Sequence, residues 1–95
     1  KKVWFDPGIG FGKTLNQNLH LMRSLKKYID RNIQILLGSS RKSWINFIDP
    51  SKTDERLGGS LASVAHALSQ GVNTFRIHDV QETNQMIKVL KVLKR

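Results

Sequence analysis

The stretch IQILLG, residues 33–38, is a nearly continuous apolar run of the length of a strand. Such a run is typical of a strand buried on both faces of a parallel sheet, where crossover helices cover both sides. We therefore predict a central strand here rather than an edge strand. Two other runs, at 2–6 and 74–78, are rich in aromatic and β-branched residues and predict further short strands.

Helical signals fill the segments between these strands. Thr14 and Gln17 have the spacing of a capping box, and apolar residues then recur at helical spacing, so we predict a helix over about 15–29. A shorter helix is predicted through Trp44 and Phe47.

Two more helices are predicted in the second half of the chain. Thr53 or Asp54 is expected to cap the first, and Gly71 to end it, while Asp79 and Glu82 have capping-box spacing for the second. The apolar faces of these two helices are expected to consist of Leu57, Leu61, Val64 and Leu68, and of Met86, Ile87, Leu90 and Leu93.

The predicted order is β-α-β-α-β-α, which implies parallel strands joined by right-handed crossovers, as in doubly wound sheets and eight-fold barrels. No linker, repeat or low-complexity segment divides the chain, and 95 residues suffice for one core but not two. We therefore interpret residues 1–95 as a single α/β unit.

Composition and charge restrict the class of partner. Sixteen Lys and Arg against seven Asp and Glu give a formal charge of +9, which favours phosphate-bearing partners without separating nucleic acid from a small substrate. The chain has no cysteine, which fits a reducing compartment. It has no signal peptide and no apolar run of about 18 residues, so we expect a cytoplasmic protein without membrane attachment.

Ligands of parallel α/β proteins gather at the carboxyl ends of the strands, and the first of these ends carries the loop DPGIGFGK, residues 6–13. Its glycines permit a tight turn and close approach to a ligand, although the spacing is not that of a P-loop. Asp6 either caps its own turn or accepts paired N–H donors of a flat heterocycle. Phe11 is either a loop anchor or a stacking surface for a ring.

The second strand end, residues 39–43, has the sequence SSRKS and leads into a helix. A helix N-terminus binds anions, so this loop is a candidate anion site; the alternative is an N-cap serine with solvated basic neighbours.

The third strand end carries Arg76 and His78, which lie two residues apart and are expected to share one face, opposite Phe75 and Ile77. Burial of an arginine and a histidine costs several kcal/mol unless they meet an anion or a carboxylate. A buried pair would therefore indicate a bound phosphate or a fixed partner, whereas an exposed pair would carry little information. We assign Asp79 mainly to helix capping.

The other charged residues suggest no further site. His20 and His66 lack a second histidine or carboxylate at ligand spacing, so no zinc site is expected. The basic stripe on the last helix is interpreted as a solvated face, with non-specific attraction to nucleic acid as the alternative. That stripe consists of Lys88, Lys91, Lys94 and Arg95.

The three segments DPGIGFGK (6–13), SRKS (40–43) and RIHD (76–79), in this order on successive strand ends, resemble dihydropteroate synthases. The resemblance runs end to end and includes ERLGGSLA, residues 55–62. It implies an eight-stranded β/α barrel of the TIM type, of which this chain would be the C-terminal part, the last three β/α units. It also implies a transferase of folate biosynthesis, a target of sulfonamides, that joins 6-hydroxymethyl-7,8-dihydropterin pyrophosphate to p-aminobenzoate and releases pyrophosphate.

The resemblance assigns pterin and pyrophosphate contacts to four residues. Asp6 would accept hydrogen bonds from the amino-pyrimidine edge of the pterin, and Lys42 would donate to a ring oxygen and nitrogen. Arg76 would lie over the pterin and, with His78, hold the departing pyrophosphate. Lys42, Arg76 and His78 are thus the expected catalytic residues.

Other residues would contact p-aminobenzoate. Phe11 and Lys42 would flank its ring, and Ser43 would receive its carboxylate. Ser39 departs from the family, since many relatives have methionine there.

The resemblance places a magnesium-binding asparagine and other pterin contacts in units outside this chain, so we expect no metal ligand here and no activity from the chain alone. It also implies a homodimer through the last helices. Alternatives are a non-catalytic anion-binding or pterin-binding module, a nucleic-acid binder, and a pterin-binding methyltransferase barrel, which would not be expected to carry SRKS at 40–43.

Overall fold

The computed structural model describes residues 3–5, 8, 14–30 and 33–94. Three short strands alternate with helices in the predicted order. The strands are β1 (Val3–Phe5), β2 (Ile33–Leu37) and β3 (Thr74–Phe75). The helices are α1 (Leu15–Arg23), α2 (Leu25–Ile29), α3 (Trp44–Ile48), α4 (Leu57–Ser69) and α5 (Val80–Leu93), and a 3-10 turn lies at Thr53–Glu55.

The strands form a parallel sheet in the order β1-β2-β3, which confirms that β2 is central. In the register, Val3 lies opposite Ile33, and Leu37 lies opposite Phe75. Parallel neighbours on both sides bring the carboxyl ends of all three strands to one edge of the sheet, which is the edge that the sequence marks as a candidate site.

Burial of β2 is asymmetric. Ile35 and Leu37 are fully buried, whereas the alternate residues Gln34 and Leu36 are only half-buried. The prediction of burial on both faces is therefore met on one face, because the helices that form the core cover the Ile35 side. That core consists of Met22, Leu25, Ile35, Leu37, Trp44, Ile45, Ala67 and Val72.

The third strand is shorter than the predicted 74–78. The ladder ends at Phe75, and one more bond follows, from the Arg76 N–H to the Leu37 carbonyl at 2.9 Å. Beyond Leu37 the β2 chain leaves the sheet to enter its loop, so residues after Arg76 no longer lie beside β2.

The first predicted helix is capped as expected but is broken. The Thr14 hydroxyl accepts from the Gln17 N–H at 3.1 Å, and the Gln17 side chain accepts from the Thr14 N–H at 2.9 Å. Ser24 separates α1 from α2 because its hydroxyl donates to the His20 carbonyl at 2.8 Å, a back-bond that competes with regular helical bonding.

The predicted cap of α4 is wrong. Thr53 and Asp54 lie in the 3-10 turn, where Glu55 accepts a bond from the Lys52 N–H at 2.8 Å, and α4 begins two residues later at Leu57. Because Thr53 and Asp54 are part of this turn, neither is the residue before α4. That residue is Arg56, which makes no side-chain capping bond.

The C-terminus of α4 confirms the role of Gly71. Its φ of +101° lies in the left-handed region that favours glycine. The Gly71 N–H bonds the Leu68 carbonyl, and the Val72 N–H bonds the Ala67 carbonyl, each at 3.1 Å. This pair of bonds is a Schellman motif, which turns the chain from α4 toward β3.

The buried faces of the last two helices differ from the predicted apolar stripes. Leu57 and Leu93 are exposed, while Leu61, Leu68, Met86, Ile87 and Leu90 are half-buried. In α4 the buried residues are Ser60, Ser63, Val64 and Ala67, and in α5 Thr83 is buried. Small residues let α4 pack closely on α3: a Cβ at Gly59 would lie 2.6 Å from the Ile45 Cγ2.

None of the helices in the described part of the chain is long and apolar enough to cross a bilayer.

Candidate functional site

The loops that follow β2 and β3 meet at the carboxyl edge of the sheet. His78 approaches Ser40, with its backbone N and its Nδ1 at 3.3 Å and 3.0 Å from the Ser40 Oγ. Lys42 and Arg76 both reach over Gly38, since a Cβ added there would lie 3.7 Å from the Lys42 Nζ and from the Arg76 Nε. Two cations therefore approach one point above the backbone of Gly38.

These residues line an open pocket of about 190 Å³. Its lining consists of Gly38, Ser40, Lys42, Arg76, Ile77 and His78. The three predicted catalytic residues, Lys42, Arg76 and His78, are thus brought together although Lys42 lies on a different loop from the other two.

Arg76 and His78 are both exposed in this chain, so the argument that a buried pair would need a bound anion does not apply to them. Their convergence with Lys42 supports a site instead. Phe75 packs against the core as predicted. Ile77 was expected on the same side as Phe75 but lines the pocket, because the chain has left the strand at this point and side chains no longer alternate.

The prediction that Asp79 caps a helix with Glu82 is wrong. Asp79 occupies the position before α5, but its carboxylate makes no capping bond within the described residues. It accepts from Arg41 instead, at 3.1 Å from Nε and 2.5 Å from Nη2. The two residues lie 38 positions apart, so this ion pair ties the loop after β2 to the start of α5.

Arg41 is held in an unusual backbone conformation. Its φ of +55° is uncommon for a residue with a side chain and persists only where the surroundings fix it. The Arg41 N–H donates to the Ser60 hydroxyl at 2.8 Å, and its carbonyl accepts from the Arg56 Nη1 at 3.0 Å. Together with Asp79, these contacts hold the loop between β2 and α3 in one shape.

The ion pair shifts the pKa of both Asp79 and Arg41. Hydrogen bonding to the Arg41 guanidinium lowers the pKa of the Asp79 carboxyl, against partial desolvation that raises it. The same hydrogen bond raises the pKa of Arg41. Asp79 therefore remains ionised to a lower pH than an ordinary aspartate.

This lowered pKa predicts a pH dependence of stability. A carboxyl with a lower pKa in the folded state stabilises the protein above its unfolded pKa, and this contribution is lost as the pH falls through the folded value. We expect Asp79→Asn to be less stable than the wild type at about pH 7, and the difference to shrink below about pH 4. Urea unfolding of the wild type and Asp79→Asn across this pH range measures the difference in the free energy of unfolding.

Asp30→Asn is the matched control for this experiment, because Asp30 is an exposed carboxyl at the end of α2. At about pH 7 it should change the free energy of unfolding less than Asp79→Asn does. A wild-type advantage over Asp79→Asn that is unchanged at about pH 2.5 would contradict a depressed pKa for Asp79.

The other predicted site residues are Ser43, Asp6 and Phe11. Ser43 lies exposed before α3, makes no capping bond there within the described part of the chain, and does not line the pocket. Asp6 and Phe11 lie outside the described residues. In the same loop Gly8 is described, and its φ of +70° fits the tight glycine turn expected there.

No metal site is found in the described ranges, where histidines and carboxylates do not gather in groups of three. Asp79, which directly follows His78, forms an ion pair with Arg41. His66 lies on α4, where its Nε2 is 2.8 Å from the Met22 carbonyl, which fits a packing role.

Comparison with known proteins places this geometry in a family. The family model described as "Pterin binding enzyme" matches residues 1–78. The dihydropteroate synthase of Escherichia coli K12 is 41% identical over 91 residues, which cover 96% of this chain and 32% of that protein. The Synechocystis enzyme of the same name is 38% identical over 96 residues, covering 100% and 33%.

A solved structure extends the similarity to the fold. The crystal structure of dihydropteroate synthase from Thermus thermophilus superposes with a TM-score of 0.92 at 35% identity, over 99% of this chain and 38% of that one. The same enzyme has been solved with 6HMPPP and with 4-aminobenzoate. The chain spans about a third of the relatives that it matches, and its strands and helices are part of a TIM-type barrel. The chain therefore belongs to the pterin-binding enzyme family.

Proposed function

We propose that this chain supplies part of the active site of a dihydropteroate synthase. The observation that carries the proposal is the convergence of Lys42 and Arg76 over Gly38, with His78 alongside. These are the residues to which the sequence resemblance assigns the pterin pyrophosphate. The relative from Thermus thermophilus, solved with 6HMPPP, supports a ligand of this kind.

The proposed reaction needs positive charge where the leaving group departs. The amine of p-aminobenzoate attacks the methylene carbon of the pterin, the C–O bond breaks, and pyrophosphate leaves with the bonding electrons while the amine loses a proton. Charge grows on the departing oxygen during this step, and fixed donors around it lower the barrier. Arg76 and His78 would hold the pyrophosphate, while Lys42 would donate to the pterin ring.

The contacts to p-aminobenzoate form a second part of the proposal. Ser43 would receive the carboxylate, and Phe11 with Lys42 would flank the ring, while Asp6 would bind the pterin edge. Ser43 is exposed and adjacent to Lys42 in the chain, which is compatible with a ligand that bridges both. Sulfonamides, as analogues of p-aminobenzoate, would compete for the same contacts.

Other features of the proposal involve parts of the protein beyond this chain. Magnesium would be bound by residues of other barrel units. A homodimer through the last helices is supported by the exposed apolar side chains Val89, Val92 and Leu93 on α5. A cytoplasmic location is proposed from the resemblance to a biosynthetic enzyme.

A chimera tests the function directly. In it, this chain replaces the matched third of the Escherichia coli relative, which supplies the other barrel units. We expect the chimera to form dihydropteroate from pterin pyrophosphate and p-aminobenzoate, and the chain alone to be inactive. The E. coli enzyme without its matched third is the control. A chimera that folds, by circular dichroism and thermal unfolding, yet forms no product would contradict the proposal.

The alternative with some support is a non-catalytic anion-binding module, because two converging cations would bind any phosphate. Calorimetry of this chain with pterin pyrophosphate, p-aminobenzoate and inorganic pyrophosphate separates the two. Tighter binding of the pterin ligand favours the synthase, and equal affinity for inorganic pyrophosphate favours the module.

A further inference from the structure

We propose that Ser40 is a positioning residue that fixes the tautomer of His78, so that the Nε2–H is the donor offered to the pyrophosphate. This inference rests on the proposed function for the identity of the anion. Its structural part, a serine that controls a histidine, stands on the geometry of the two residues.

Ser40 lies where its hydroxyl contacts both the backbone and the ring of His78. Its side chain lies at the end of β2, with 4% of the residue exposed. The Ser40 Oγ contacts both the backbone N and the Nδ1 of His78, at 3.3 Å and 3.0 Å. Two contacts from one hydroxyl fix the position of the His78 backbone and the rotation of its ring together.

The protons of this pair determine the tautomer. A backbone N–H can only donate, so the Ser40 oxygen accepts from the His78 main chain. The hydroxyl has one proton, and in the proposed arrangement it donates this proton to the Nδ1, which lies 3.0 Å away. A neutral imidazole that accepts at Nδ1 carries its proton at Nε2. The Nε2, on the far side of the ring from Ser40, is then a donor.

The residues beside Ser40 are themselves anchored to α4. The Ser63 hydroxyl donates to the Ser60 carbonyl at 2.7 Å, so the Ser39 hydroxyl, 2.7 Å from the Ser63 Oγ, must be the donor in their contact. On the other side, the Arg41 N–H donates to the Ser60 hydroxyl. Ser40 is thus held from both neighbours, and its backbone cannot follow a displaced ring without breaking these bonds.

Arg41 and Asp79 provide a second constraint, because Asp79 directly follows His78 and is bonded to the residue after Ser40. The two loops are therefore joined at adjacent positions, once by the Ser40–His78 contact and once by the ion pair. This double attachment limits the movement of His78 relative to the loop that carries Lys42.

Nitrogen NMR of the full chain tests the proposal. In long-range ¹H–¹⁵N spectra at about pH 8, where an ordinary imidazole is neutral, we expect His78 to be protonated at Nε2 and not at Nδ1. Ser40→Ala should give a mixture of tautomers and weaken binding of inorganic pyrophosphate by about 3- to 10-fold, the effect of one hydrogen bond. Ser40→Thr keeps the hydroxyl and should retain the wild-type tautomer.

Ser24→Ala is the matched control, since it removes another buried hydroxyl, which donates to the His20 carbonyl and not to His78. It should leave the His78 spectrum and the pyrophosphate affinity unchanged. A wild-type His78 protonated at Nδ1 would overturn the proposal without any variant being needed, and so would a Ser40→Ala chain that keeps both the tautomer and the affinity.

The two measurements, the His78 tautomer and the affinity for inorganic pyrophosphate, test this inference and the proposed function separately. The tautomer is measured without ligand and tests the Ser40–His78 contact alone. A wild type that shows the Nε2–H tautomer but does not bind inorganic pyrophosphate would support the structural part and count against the assigned pyrophosphate site. A bound pyrophosphate with an unaffected Ser40→Ala variant would support the site and overturn the role of Ser40.

Discussion

Lys42→Ala and Arg76→Ala are each expected to lower kcat/KM of dihydropteroate formation by roughly 30- to 900-fold, or about 2–4 kcal/mol of transition-state stabilisation. The two side chains approach the same point above Gly38, at the edge where the substrate is proposed to bind. Removal of either leaves the transition state with one fixed donor fewer. The other cation cannot replace it, because each is directed from a different loop.

The measurement uses the chimera with the Escherichia coli relative and compares kcat/KM with thermal stability. Lys88→Ala is the matched control for Lys42→Ala, because it removes the same charge from an exposed position on α5 that does not line the pocket. We expect its kcat/KM to stay within about two-fold of the starting chimera. Near-normal turnover in both pocket variants would rule out the site assignment.

Leu37→Ala is expected to lower the free energy of unfolding by about 2–5 kcal/mol. Leu37 is 0% exposed, at the end of the central strand, so the substitution leaves a cavity in the core. A domain of this size is stabilised by only about 5–15 kcal/mol, so the loss is a large fraction of the total. Urea unfolding of the chain measures it.

Leu57→Ala removes the same side chain where 36% of the residue is exposed, and it should cost under about 1 kcal/mol. Equal losses for the two variants would mean that Leu37 is not in the core. Because Leu37 directly precedes Gly38, Leu37→Ala should also weaken pyrophosphate binding, whereas Leu57→Ala should not.

Local rules predicted those parts of the fold that depend on neighbouring residues. The apolar run at 33–38 indicated the central parallel strand, and the Thr14–Gln17 spacing indicated a capping box, of which both bonds are present. Gly71 was predicted to end a helix because its position needs a left-handed backbone, which the structure has. Each of these features is decided within a few residues of chain.

Features that depend on distant partners could not be predicted in this way. Asp79 stands where a helix cap is expected, but Arg41 attracts its carboxylate across 38 positions. The buried face of α4 contains Ser60 and Ser63 because their hydroxyls bond the loop after β2, and hydrophobic periodicity does not detect serines.

The pocket itself was partly predictable for a topological reason. Parallel strands bring their carboxyl ends to one edge, so the loops after β2 and β3 were expected to meet, and the family resemblance singled out Lys42, Arg76 and His78 within them. Ser40 was not singled out, although it contacts His78 directly. A serine beside two cations carries no signal of its own in a sequence, and its importance follows from the hydroxyl geometry alone.

The hydrogen bonds between α4 and the loop after β2 have a consequence for loop grafting. The shape of the SRKS segment depends on Ser60, which bonds the Arg41 N–H, and on Ser63, which bonds the Ser39 hydroxyl. Transplanting residues 40–43 into another barrel would transfer the side chains without the conformation that Arg41 adopts. The smallest transferable unit of this site is therefore the loop together with the first two turns of the helix behind it.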